Sequence, residues 1–217
     1  MSTTAPAGVV FDMDGVLVDS GAHHREAWQA MLRDVGAPEA PPDFWRLTVG
    51  RPSHEAVPLV LGRALEADEA RRLARIKQEH YARLARRGSV ALAGIGQFLA
   101  LLAAAGVPRA VATSATRADA ERVLADAGLA AWFEVVVTVE DVRRGKPDPE
   151  VYVKAAAGIG LAPAACLVFE DAPVGVAAAR GAGMRVIGVA SAHSVEELCA
   201  AGAERAIADF EGLTWPP

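Results

Sequence analysis

Val9-Val10-Phe11-Asp12-Met13-Asp14-Gly15 is the stretch from which the rest of the chain is read. Three apolar residues make a short buried strand, and two carboxylates follow at i and i+2. On a continuing strand both acids would share one face. Each would raise the other's pKa unless a cation or a proton sat between them. A hard metal ion, Mg2+ by preference, relieves that repulsion through oxygen ligands. The competing reading is a plain turn, with Asp and Gly as ordinary turn residues.

Working outward, Asp19-Ser20-Gly21 punctuates the exit, and residues 22–35 predict a helix. Its Ala27, Trp28, Met31, Leu32 and Val35 follow a 3.6-residue period. Gly36 ends it, and Pro38, Pro41 and Pro42 mark a turn. Phe44, Trp45, Leu47 and Val49 fit a short helix or an extended piece. Pro52-Ser53-His54-Glu55 reads as a helix start carried on to Leu61, with Pro58 a candidate kink. Residues 66–86 predict a long helix with Leu73, Ile76, Lys77, Tyr81 and Leu84 along one stripe. A simple βαβ crossover needs only one helix. The block therefore predicts an inserted all-helical cap over residues 21–88, hinged near Gly21 and Gly88. Residues 1–20 and 89–217 would form the core domain.

From Gly94 the pattern alternates. Helices over 95–105, 117–126, from Asp148-Pro149, 173–180 and 194–201 are separated by short apolar strands over 110–112, 135–137, 165–169, 185–189 and 206–208. That order predicts an α/β, Rossmann-like core: a parallel sheet with helices on both faces.

Composition narrows the function. A hydrophobic share of 52% favours a packed core over disorder, and a formal charge of −5 argues against nucleic acid or an anionic membrane as the main partner. Cys166 and Cys199 form no close pair, so a reducing cytoplasm is expected and a structural disulfide is not. No basic segment followed by an apolar run marks a leader, and no apolar run has membrane-spanning length.

The polar residues then fall at strand ends. Asp12 and Asp14 follow one strand, Thr113-Ser114 a second and Glu170-Asp171 a third, while Lys146 lies in the turn Gly145-Lys146-Pro147-Asp148-Pro149. In open α/β sheets, sites form outside the carboxyl ends of the strands. Each group has a plain reading: a helix cap for Thr113-Ser114, a solvated turn for Glu170-Asp171, a turn residue for Lys146. Their joint placement favours a single cleft.

With these motifs in view, the chain resembles a haloacid dehalogenase-superfamily hydrolase of the phosphatase type with a helical cap. Phe11 to Ser20 match the first motif, Thr113-Ser114 the second and Gly145 to Pro149 the third. Phe169-Glu170-Asp171, followed by Gly175, Ala178-Ala179 and Gly181 to Met184, match the fourth. The similarity is greatest to the subgroup of β-phosphoglucomutase and small sugar-phosphate phosphatases. It implies that Asp12 attacks phosphorus and forms an aspartyl-phosphate, and that Asp14 is the general acid and base. Asp12, the Asp14 carbonyl and Asp171 would hold Mg2+, with Glu170 behind them or acting through a metal-bound water. Thr113 would donate to the phosphoryl oxygens, and Lys146 would offset charge. Asp14 together with Asp171 favours phosphoryl transfer over dehalogenation.

The cap should select the substrate, expected to be a small phosphorylated metabolite and most plausibly a sugar phosphate. His24 and Trp28 fall where the mutase has a histidine and a tryptophan. Lys77 is the lysine nearest its cap lysine, and an ungapped count lands on His80. Ser53 falls where the mutase has an arginine for a distal phosphate, with Arg51 two residues earlier. His24, Arg51, Lys77, Ser114 and Arg117 are thus the candidate substrate or cap residues. Ala172 stands where serine is common. A mutase is the alternative activity, and a non-catalytic binding or regulatory protein the alternative class. A monomer or a homodimer is expected.

Overall fold

The computed structural model of the chain describes residues 5–37, 40, 43–86 and 88–217. The expected Pro38, Pro41 and Pro42 turn lies outside the described residues. Six parallel strands form one sheet: β1 (Gly8–Phe11), β2 (Arg109–Ala112), β3 (Val135–Val137), β4 (Cys166–Glu170), β5 (Arg185–Val189) and β6 (Arg205–Ile207), in the order β3-β2-β1-β4-β5-β6. The chain runs outward from β1 to β3, then crosses back to β4 on the other side of β1. That reversal puts a crevice at the carboxyl ends of β1 and β4.

The helices are α1 (Gly21–Asp34), α2 (Ser53–Leu61), α3 (Ala67–Ala85), α4 (Ile95–Ala104), α5 (Arg117–Asp126), α6 (Glu150–Gly158), α7 (Pro173–Gly181) and α8 (Val195–Ala200). Pro58 is accommodated inside α2, and Phe44–Leu47 form a 3-10 turn. No described helix is long and apolar enough to cross a membrane.

Side chains alternate across β1 as the period-2 geometry requires. Val9 and Phe11 join an aromatic core in which Phe11 stacks on Phe169 at 5.4 Å, with Phe98 and Phe210 around them. Val10 faces the other way, with Val168 and Tyr152. Phe11 is paired with Val111 on one side and Phe169 on the other. The next residues of all three strands therefore emerge at one level. Asp12 and Glu170 continue the Val10 and Val168 face, where Tyr152 lies.

A third apolar cluster is built from Trp28, Met31, Leu32, Phe44, Val57, Val60 and Leu73. The far end of α3 behaves differently: Tyr81, Leu84 and Ala85 pack into the aromatic core of the sheet.

Candidate active site

β1 ends at Phe11, so strand alternation does not place Asp14 as the sequence led us to expect. A tight turn does: Gly15 N–H donates to the Val18 carbonyl at 2.8 Å, with Gly15 at φ +80°. That left-handed conformation favours glycine. Asp12 and Asp14 still line the same cleft, together with Thr113 and Asp171.

The two acids have separate partners. Lys146 Nζ donates to Asp12 Oδ1 at 2.5 Å, to Glu170 Oε1 at 2.7 Å and to the Ala112 carbonyl at 3.2 Å. Lys146 is 1% exposed and lies over the Tyr152 ring. Burial opposes its charge, but the Asp12 and Glu170 carboxylates outweigh burial and hold its pKa above the ordinary lysine value. Glu170 also accepts from the Tyr152 hydroxyl at 2.9 Å and from Ala172 N–H at 2.8 Å. It is fully buried, which excludes the solvated-turn reading, and it faces Lys146 and not the cleft.

Asp14 Oδ1 accepts from Ser20 Oγ at 2.6 Å and lies 3.4 Å from the Tyr81 hydroxyl. His24 Nε2 approaches it at 3.2 Å, without the alignment of a hydrogen bond. Burial pushes the Asp14 carboxyl up, but His24, Ser20 and the Lys77 ammonium outweigh it and hold it down at about 2. Asp12 goes the other way. Burial pushes it up against the pull of Lys146, with Glu170 and Asp14 adding repulsion. Two carboxylates in one cleft thus have different neighbours, the condition for dividing two chemical roles between them.

Asp171 is also raised well above the ordinary value, first by burial and then by the charges of Glu170 and Asp12. Its Oδ1 is buried with no hydrogen-bond partner. A buried carboxylate oxygen left open costs free energy that a cation would recover. Among the described residues no three His, Cys, Asp or Glu side chains converge as ligands. The donors at hand are the Asp12 and Asp171 carboxylates and main-chain carbonyls, an all-oxygen set that suits a hard ion keeping several of its own waters.

A family model for haloacid dehalogenase-like hydrolases matches residues 6–183. The chain belongs to that family. It is 35% identical over 212 residues to validoxylamine A 7'-phosphate phosphatase of Streptomyces hygroscopicus subsp. limoneus, covering 95% of each chain. To hexitol phosphatase A of Escherichia coli K12 it is 38% identical over 182 residues, covering 84% of this chain and 82% of the relative. A hydrolase from Pseudomonas syringae superposes with a TM-score of 0.86 at 29% identity, covering 94% of each chain.

Within this haloacid dehalogenase-like scaffold, Thr113 Oγ1 accepts from Ala115 N–H at 3.1 Å, which leaves its own hydroxyl hydrogen to donate. Ser114 lines the cleft, but its hydroxyl donates to the Gly50 carbonyl at 2.9 Å. The contact joins the loop after β2 to the segment ahead of α2. Lys77, 2% exposed, points its Nζ at His24 Nδ1, 2.9 Å away, and lies near the Trp28 and Tyr81 rings. Arg51 lines the cleft with no ion pair to a described residue. Arg117 is not brought into it. Its guanidinium pairs with Asp141 at 2.6 Å and with the Val136 carbonyl at 3.2 Å, because the start of α5 turns the side chain toward the end of β3. His80 pairs with Asp34 at 2.6 Å and also stays outside the cleft.

Ser20, Trp45, Gln78 and Ser191, not among the expected site residues, also line the cleft, as does Tyr81, which the sequence shows only as a member of the apolar stripe of α3. Gln78 bonds Asp119 of α5, a link from α3 to the far side of the cleft. Only Ser20 carried a signal, through its place in the first motif.

Proposed function

We propose that the chain is a Mg2+-dependent phosphatase acting on a small phosphorylated metabolite, most simply a sugar or sugar-alcohol phosphate. The observation that carries this reading is the pair Asp12 and Asp14 in one cleft, the first held by Lys146 at 2.5 Å and the second by Ser20, His24 and Tyr81. The two relatives of this family that share 35% and 38% identity are phosphatases of phosphorylated metabolites.

Asp12 is the nucleophile. Lys146 engages Oδ1, leaving Oδ2 to attack phosphorus and form an aspartyl-phosphate. Thr113 and neighbouring main-chain N–H groups donate to the equatorial phosphoryl oxygens, where charge is spread in the transition state. Asp14 protonates the leaving oxygen and then takes a proton from the water that attacks the aspartyl-phosphate. It starts ionised, and a phosphate brought beside it raises its pKa by like-charge repulsion, so that it can carry the first proton. Glu170 positions Lys146. Asp12, the Asp14 carbonyl and Asp171 would hold Mg2+, which would offset the charge between an anionic nucleophile and an anionic ester.

Residues 21–88 act as the cap that chooses the leaving group, and residues 1–20 with 89–217 as the core. Support comes from an apolar cluster whose members all lie between Trp28 and Ile76. His24, Arg51 and Lys77 face the leaving group, Ser114 secures the cap to the core, and Arg117 has no substrate role. Both cysteines are free, which suits the cytoplasm.

A panel of phosphate esters assayed with Mg2+ for kcat/KM tests the reading. Phosphate release that stops on chelation and in Asp12→Asn is the expected result. Glucose 6-phosphate formed from β-glucose 1-phosphate and a bisphosphate primer without free phosphate would establish a mutase instead. No turnover of any ester would point to a binding protein on this fold.

A further inference from the structure

Ser191 stands in the loop after β5, at a strand end that carries none of the motif residues. Its Oγ lies 2.6 Å from the Gly15 carbonyl and 3.3 Å from Asp171 Oδ2. A hydroxyl has one hydrogen to give. The Gly15 carbonyl takes the shorter contact and Asp171 Oδ2 the longer, a three-centre arrangement. Ser191 therefore ties the turn after β1 to the carboxylate after β4.

Two residues on, His193 Nδ1 lies 3.0 Å from the Asp171 main-chain carbonyl. A carbonyl only accepts, so Nδ1 carries the hydrogen. The loop over 191–193 thus grips Asp171 through both its side chain and its main chain. The packing is close. A Cβ at Gly15 would fall 2.1 Å from Asp171 Oδ2 and 2.8 Å from Ser191 Oγ. With Oδ2 placed in this way, Oδ1 is the oxygen left buried and unpartnered.

We propose that Ser191, supported by His193, is a positioning residue for the metal site. It sets the separation and orientation of the two segments that present oxygen donors, the Asp14 main chain and the Asp171 carboxylate. The proposal rests on the Mg2+ reading given above. Groups that hold metal ligands from behind cost about 10–100-fold in affinity when removed.

The test is calorimetric titration of Mg2+ into the full chain, without substrate, for the wild type and for Ser191→Ala, Ser191→Cys, Ser191→Thr and Asp171→Asn. Ser191→Ala and Ser191→Cys are expected to bind Mg2+ about 10–100-fold more weakly, with metal-free melting temperatures unchanged. Ser191→Thr keeps the hydroxyl and should bind as the wild type does. Should Ser191→Ala not fold, Ser191→Cys decides, because it fills the same space with a poor donor. Wild-type affinity in the folded Ala or Cys variant, with binding lost in Asp171→Asn, would overturn the positioning role and leave the metal reading standing. Wild-type affinity in Asp171→Asn would overturn both.

Discussion

Lys77 Nζ lies 2.9 Å from His24 Nδ1, a contact between two helices whose residues are 53 positions apart. An ammonium only donates, so Nδ1 accepts and the ring's remaining hydrogen sits on Nε2, facing Asp14 at 3.2 Å. Burial lowers the His24 pKa, and the Lys77 charge lowers it further, against the pull of Asp14. The Lys77 charge on α3 also acts on Asp14 itself, lowering its pKa.

Lys77 should therefore be costly to the fold. Burial is the main cause that lowers its pKa from 10.5 to about 8, against the opposing pull of Asp14 and Asp119. Between those values the unfolded chain holds the extra proton, so stability rises with pH across that window. The cost is fully present below pH 8 and relieved by pH 10.5. Lys77→Met is expected to gain about 1–3 kcal/mol at pH 7. Urea unfolding at pH 7 and pH 10 should show that gain shrinking toward zero. A gain that does not change with pH would contradict this account.

Lys146 is the opposite case. Lys146→Met leaves Asp12 and Glu170 buried without their shared cation, at a cost of about 3–5 kcal/mol. Guanidinium unfolding measures it. Turnover should fall at least about 100-fold, since the charge beside the nucleophile is lost. Adding Glu170→Gln should recover part of the stability and none of the activity.

Gly175 is held small by Glu170. A Cβ there would lie 1.6 Å from Glu170 Oε1, and that oxygen is fixed by both Lys146 and Tyr152. Gly175→Ala should cost about 1–3 kcal/mol and lower activity by shifting Lys146. A variant as stable and active as the wild type would show that Glu170 moves freely.

Asp14→Asn removes the proton carrier while Asp12 remains. Alkyl phosphates, whose leaving oxygen needs a proton, should lose about 100–10,000-fold in kcat. Aryl phosphates with good leaving groups should lose far less in the step that forms the aspartyl-phosphate, read as a larger burst of released phenol relative to steady turnover. Equal losses on both classes would remove Asp14 from leaving-group protonation.

The sheet, and the cleft proposed as the site, were legible because strand ends in a parallel sheet meet at one place, and polar residues after apolar runs mark those ends. Asp12, Thr113, Glu170 and Asp171 all carried that mark, while Lys146 stood out as the cation of the turn from Gly145 to Pro149. Glu170 was legible as a site residue, yet its work of anchoring Lys146 depends on Tyr152, which reads only as a core residue of α6. Ser191 had no signal, since a serine in a loop after a strand is ordinary. Arg117 misled because a cation beside Thr113-Ser114 looks well placed. Its direction is set by Asp141, 24 residues on, and nothing local reveals that pairing. The His24–Lys77 contact joins α1 to α3, whose relative rotation only the packed structure defines.

The position of β1 in the middle of the sheet also orders events in time. During synthesis the Asp12 strand emerges well before its two neighbours, which begin only at Arg109 and Cys166. Contacts this distant in sequence form late. The helices packed by Trp28, Met31 and Val57 can assemble from local contacts well before then. On the proposed function, the nascent chain thus carries its nucleophile next to a partly built helical unit long before Lys146 arrives beside it.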